Sequence, residues 1–204
     1  MTSVPIHGQS PPLVLHTRPA IDLSPEQFYE FCLLNREWRI ERTAEGDLRI
    51  MAPVGGETGS RTAIITSMLT TWALQDGTGV AFDSSTGFTL PNGATRSPDA
   101  AWVQRARLTG LTAEQKEKFL PLCPDFVVEL RSPSDDLGSV QEKMREYLDN
   151  GTQLGWLIDP STRQVYVYRP SATVERVEDP SHMSGDPELP GFVLELTPIW
   201  EPPL

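Results

Sequence analysis

Apolar positions along the chain change period several times, and each change marks an element. Phe28, Phe31, Cys32 and Leu34 follow Ser24-Pro25-Glu26-Gln27. That run supplies an N-cap, a first-turn proline and a glutamine at the third helical position, the signature of a capped short helix. WRIERT and DLRIM alternate in hydrophobicity on either side of Ala44-Glu45-Gly46-Asp47, which predicts a β-hairpin over 37–51. Ile64, Ile65, Met68, Leu69 and Trp72 recur at three and four, predicting an amphipathic helix over 61–75 that ends near Gly77. The MAPVGGETGSRT stretch before it reads as a glycine-rich turn and lacks the spacing of a phosphate loop.

Short β segments come next: GVAF, TGFTL and residues 98–103, the last two joined by the turn Pro91-Asn92-Gly93. Residues 105–124 read as a polar connection with one helical piece, TAEQKEKFL. The strongest strand signal is Phe126-Val127-Val128, and the helix after Ser132-Pro133-Ser134-Asp135-Asp136 carries the stripe Val140, Met144, Tyr147 and Leu148. LGWLID, QVYVYR, TVERV and GFVLEL complete the strands, with a loop expected over 178–190. Residues 1–20 hold four prolines and no sustained period, so a flexible arm is expected there and one domain over 21–204. This order predicts an α/β (α+β) fold, a mixed β-sheet flanked by helices, in which the helix between Glu129 and Leu154 crosses over between parallel strands.

At 204 residues the chain can bury one core. A net charge of −11 opposes a broad polyanion surface, so contact with nucleic acid would have to be local. No apolar run is long enough to span a bilayer, and the N-terminus lacks the features of a secretory signal; a cytoplasmic protein is expected. Cys32 and Cys123 have no metal-type spacing, and the three histidines lie in Pro- or Ser-rich segments, which argues against a histidine-ligated zinc.

The chemistry concentrates around an acid that interrupts a core strand. In the strand at 125–131, Val127, Glu129 and Arg131 share one face; in the strand at 98–103, Asp99, Ala101 and Val103 share one. On the following helix Lys143 lies about 40° from Tyr147, at the edge of the apolar stripe. Two carboxylates about 5 Å apart repel by roughly 3 kcal/mol at an effective dielectric near 20, more than one lysine offsets. A hard divalent cation, Mg²⁺ or Mn²⁺, would resolve that conflict. A Glu129–Arg131 salt bridge at the strand end and a turn role for Asp99 are the plainer alternatives. Arg61, Arg96, Arg105, Arg107, Arg131 and Lys143 offer a local basic rim, or simply solvated faces.

RSPDAAWV, followed by PDFVVELRSPSD, EKMREYLDNG and LGWLIDP, resembles the Uma2 family of restriction-endonuclease-like proteins in the PD-(D/E)XK nuclease superfamily, over roughly residues 22–200. The resemblance implies an endonuclease acting on DNA, a restriction-endonuclease-like core and a homodimer. It implies Asp99 and Glu129 as metal ligands, joined by the Leu130 carbonyl. The superfamily's lysine would stand where this chain has Arg131, whose guanidinium cannot act as a base; the resemblance places that lysine at Lys143, on the next helix. Glu57 would be an accessory acid, against the plainer reading of a solvated first-turn carboxylate. The alternative is a nuclease fold kept as a catalytically silent scaffold, a dimeric interaction or nucleic-acid-binding module.

Overall fold

The structure, a computed structural model, describes residues 13–204. Its elements in chain order are β1 (Leu13–Leu15), α1 (Pro25–Leu34), β2 (Arg39–Arg42), β3 (Leu48–Met51), α2 (Gly56–Asp76), β4 (Gly79–Asp83), β5 (Phe88–Thr89), β6 (Thr95–Arg96) and β7 (Ala100–Gln104). There follow α3 (Arg105–Thr109), α4 (Ala113–Glu117), β8 (Phe126–Leu130), α5 (Leu137–Asp149), β9 (Leu154–Asp159), β10 (Gln164–Tyr168), β11 (Glu175–Glu178), β12 (His182–Ser184), β13 (Val193–Glu195) and α6 (Thr197–Trp200).

A mixed six-stranded sheet, ordered β11-β10-β9-β8-β7-β4, is the centre of the molecule. β8 and β9 are parallel and α5 connects them, as the crossover reading expects. One face of this sheet presents Trp102, Phe126, Val128 and Trp156 to Ile65 and Leu69 of α2, with Leu194, Ile199 and Trp200 closing the layer. The other face presents Ala101, Val103, Val127 and Leu157 to Met144 and Tyr147 of α5. A Cβ on Gly155 would come 2.5 Å from Met144 Cε and 3.4 Å from a methyl of Val127, so glycine there lets α5 lie close against β9.

The hairpin at 37–51 does not join this sheet. Its strands β2 and β3 belong to a separate five-stranded sheet, β1-β3-β2-β6-β5, whose small core is Phe28, Ile40 and Leu48. Residues 1–12 of the expected arm lie outside the described residues, and Leu13–Leu15 pair antiparallel with β3 at its edge. The capping box of α1 is present in full, with Gln27 N–H on Ser24 Oγ at 3.2 Å and Ser24 N–H on Gln27 Oε1 at 2.8 Å.

Three local expectations are corrected. α2 begins at Gly56, not Arg61, because Gly55 is extended and accepts the Gly59 N–H at 3.0 Å, so GETG is the first helical turn despite its glycines. A two-stranded β12-β13 ribbon runs through part of the segment expected as a loop over 178–190. Residues 105–109, expected within a polar connection, form α3.

Candidate active site

The register of the central sheet sets the site. Ala101 pairs with Val127 and Ala100 with Val128 in antiparallel β7 and β8. One step further along this register, Asp99 faces Glu129 on the α5 side of the sheet. Arg131 donates its N–H to the Ile158 carbonyl on β9. Backbone groups alternate along a strand, so Leu130 turns its N–H and C=O toward β7 instead. There the Leu130 N–H donates to Asp99 Oδ2 at 2.8 Å. The residue in register with Leu130 is Pro98, which has no N–H to give, and the Leu130 carbonyl is left without that ladder donor. Pro98 and Asp99 together thus open the strand end: one withholds a donor, the other captures one.

α5 supplies the cation. Asp136 caps the helix by accepting the Ser139 N–H at 2.8 Å, and Asp135 Oδ2 pins Ser132 through its N–H at 2.8 Å and its hydroxyl at 2.7 Å. With the entry loop tied down, Lys143 and Tyr147, one turn apart, both reach Glu129 Oε1: Lys143 Nζ at 2.8 Å and Tyr147 Oη at 3.0 Å. Both contacts fall on one oxygen. Glu129 Oε2 and Asp99 Oδ1 are therefore the acceptors left over, beside the Leu130 carbonyl.

Two residues of β2 enter the same cleft, and sequence reasoning missed both. Glu41 accepts from Lys143 Nζ at 2.9 Å, from the Ser97 N–H at 2.9 Å and from Arg96 Nη1 at 3.3 Å. Arg39 places Nη1 3.6 Å from Asp99 Oδ1 and donates Nη2 to the Ser97 carbonyl, while its buried Nε has no partner among the described residues. The signal was present in WRIERT: Arg39 and Glu41 share the strand face opposite Ile40, and a hairpin face built of charges reads as solvent-facing unless something covers it.

Burial and charge pull these groups in different directions. Burial pushes the Glu129 carboxyl up to about 7, only partly opposed by Lys143 and reinforced by Asp99 and Glu41. Burial acts on Glu41 too, but Lys143, Arg96 and Arg39 outweigh it and hold this carboxyl at about 2. Burial disfavours the Lys143 ammonium, yet Glu129 and Glu41 more than restore it and its pKa is raised.

The cleft itself has a volume of about 350 Å³ and lies between the β2-β3 hairpin, with Arg39, Arg49 and Met51, and the loop carrying Ser132, Ser134 and Asp135. No group of three or more His, Cys, Asp or Glu side chains suited to a metal occurs among the described residues. A cation here would draw on two carboxylates, one carbonyl and waters, a donor set of hard oxygens that fits Mg²⁺ rather than a softer metal.

Over most of its length the chain is similar to known proteins. The family model Uma2, described as "Putative restriction endonuclease", matches residues 25–197. The chain belongs to the Uma2 family. No curated protein matches it. A crystal structure described as that of a putative nuclease belonging to DUF820, from Anabaena variabilis, superposes with a TM-score of 0.71 at 21% identity, covering 88% of this chain and 98% of the other. That likeness establishes the nuclease-like fold.

Of the residues expected at this Uma2 site, Asp99, Glu129, Leu130 and Lys143 come together. Glu57 does not: it is an exposed first-turn acid on α2, 3.0 Å from Arg61. Arg131 also leaves the site. It pairs with Asp159 at 2.6 Å and donates Nε to the Asp135 carbonyl, because the end of β8 turns it toward β9, and the Glu129–Arg131 salt bridge is not formed. The basic rim is largely spoken for as well: Arg96 is buried against Glu41 and Glu146, Arg105 donates to the Gly77 and Gly79 carbonyls, and Arg107 pairs with Asp125. Arg39 and Arg49 line the cleft in their stead.

Proposed function

We propose that this protein is a Mg²⁺- or Mn²⁺-dependent endonuclease that hydrolyses DNA phosphodiester bonds. The observation that carries the reading is the meeting of Asp99, Glu129 and Lys143 at the open end of β8, each supplied by a different element. Asp99 Oδ1, Glu129 Oε2 and the Leu130 carbonyl would hold the cation. When bound, a divalent ion at such a site polarises a phosphoryl oxygen and lowers the pKa of an attached water. Lys143 lies between two carboxylates and stays an ammonium, so its part is to counter negative charge gathering on the phosphate, not to accept a proton. Arg39, already against Asp99, offers a second cation on the same side. This local group meets the requirement that an acidic protein bind a polyanion at one place only.

The test is purified protein with supercoiled, linear and single-stranded DNA, with Mg²⁺, with Mn²⁺ and with EDTA. Cleavage that needs the cation and falls about 10²-fold or more in Asp99→Ala and Glu129→Gln is expected. No product from any of the three DNA forms, or cleavage undiminished in Asp99→Ala, would overturn the reading.

One observation favours the scaffold alternative: Glu129 and Asp99 already face Lys143 and Arg39, so the cleft is close to neutral without an ion. Calorimetry separates the two. Saturable Mn²⁺ binding lost in Asp99→Ala speaks for the enzyme, and no binding speaks for a dimeric nucleic-acid-binding scaffold.

A further inference from the structure

Glu41 is among the least exposed acids of the molecule, 3% exposed, yet it lies on a hairpin outside the central sheet. It is held from three sides. The Ser97 amide and Arg96 fix its carboxylate, and Arg96 in turn is anchored by Glu146 at 2.6 Å, on the same helix as Lys143. What this rigid carboxylate holds is Lys143, whose Nζ sits 2.9 Å from Glu41 Oε1 and 2.8 Å from Glu129 Oε1.

An ammonium has three N–H donors on a flexible stem of four carbons. With two donors drawn apart by two acids, the third is left for the cleft. Remove Glu41, and among the described residues Glu129 is the one carboxylate still in contact with Lys143 Nζ; the lysine would settle wholly there and neutralise the carboxylate a divalent cation needs.

We propose that Glu41 is a positioning residue that shares Lys143 with Glu129, keeping Glu129 open to a divalent cation and one ammonium N–H directed into the cleft; this rests on the metal-dependent reading given above. A purely structural role for the Glu41, Arg96 and Glu146 network predicts no special link to Lys143. A purely through-space role predicts weaker cation binding whether or not Lys143 is present.

The experiment is calorimetric titration of Mn²⁺ into the full chain as wild type, Glu41→Gln, Lys143→Met and the double variant. Glu41→Gln is expected to weaken Mn²⁺ binding about tenfold, the size usual for a group that orients a metal site from behind. Lys143→Met is expected to tighten it, and Glu41→Gln on the Lys143→Met background to change it less than twofold. An equal weakening on both backgrounds, or no weakening on either, overturns the proposal.

A second arm does not depend on the metal. The chain has only three lysines, Lys116, Lys118 and Lys143, so ¹⁵N-lysine labelling yields three side-chain signals. The Lys143 signal, identified by its loss in Lys143→Met, should be protected from exchange with water and should move in Glu41→Gln, with Glu41→Asp as the variant to use if the glutamine form does not fold. An unmoved signal overturns the proposal. If no variant binds Mn²⁺, the metal reading fails and takes with it the claim that Glu129 is kept open. The lysine signal then still decides whether Glu41 holds Lys143.

Discussion

Replacing Glu129 by glutamine should make the metal-free protein more stable, and only above about pH 5. In the folded chain this carboxyl is raised from its ordinary 4.5 to about 7, chiefly by burial. Its folded value lies above its unfolded one. The stability tied to its proton is therefore intact below pH 4.5 and is lost as pH rises through about 7. The displacement corresponds to about 3 kcal/mol against the ionised form, an upper bound that water entering the cleft and local relaxation reduce to about 2 kcal/mol. Glutamine reproduces the neutral acid: its Oε1 can still accept from Tyr147 and Lys143, the two donors Glu129 Oε1 has now. Urea unfolding in EDTA should accordingly show the two proteins within about 0.5 kcal/mol at pH 5 and Glu129→Gln ahead by about 2 kcal/mol at pH 8.5. The latter is roughly 4–8 °C in melting temperature for a chain of this size. Saturating Mn²⁺ should reverse the order, since it stabilises only the form that binds it. A variant less stable than wild type at pH 8.5 in EDTA, or a difference that does not change with pH, would refute the reasoning, because Glu129 would then be a well-compensated ion-pair partner and not a carboxylate short of a cation.

Arg39→Met removes the guanidinium 3.6 Å from Asp99 Oδ1, and calorimetry should find Mn²⁺ bound about tenfold more tightly while DNA binding weakens. Unchanged Mn²⁺ affinity would place Arg39 outside the electrostatics of the site. Arg131→Ala should cost about 2 kcal/mol in urea unfolding by stranding the buried Asp159, which keeps only its Ser161 contacts, while DNA cleavage per folded molecule stays within a few-fold of wild type. Glu41 acts on the acid side: its folded value of about 2 lies below the ordinary 4.5, so its contribution is present above pH 4.5 and is lost as pH falls through about 2. Between pH 5 and pH 2.5, wild type should lose about 2 kcal/mol more stability than Glu41→Gln does.

The catalytic candidates were legible because two periods intersect. Strand parity put Asp99 with Ala101 and Val103, and Glu129 with Val127, and those neighbours are buried under α5. Helical phase put Lys143 beside Tyr147, and both reach the same oxygen of Glu129. Arg39 and Glu41 were not legible in this way, since nothing local tells a charged strand face that meets solvent from one that meets a second sheet and a helix. Their burial is decided by β2 pairing with β6, fifty or more residues on, through the single register Arg42↔Thr95. The same gap explains the basic rim. Counting arginines near the motifs could not say that Arg96 would be consumed by Glu41 and Glu146, a partnership spanning three elements.

The placement of the lysine follows from the end of β8. Strand parity alone would set Arg131 on the face of Glu129, but β8 ends at Leu130, and beyond that end Arg131 gives its N–H to Ile158 on β9 and runs its side chain out to Asp159 instead of back over Glu129. A cation at that strand position cannot serve both β9 and the cleft. Here the β9 side claims it, because Asp159 is buried and an unpaired charge there would cost more than any surface contact returns. The cleft's positive charge has to arrive from another element, and α5, packed on the same sheet face through Met144 and Tyr147, is the element that passes over Glu129. A lysine on a helix is farther from the backbone of β8 than one on the strand and has more freedom to wander. The buried carboxylate of Glu41, brought in on a separate sheet, is the constraint that compensates for that freedom.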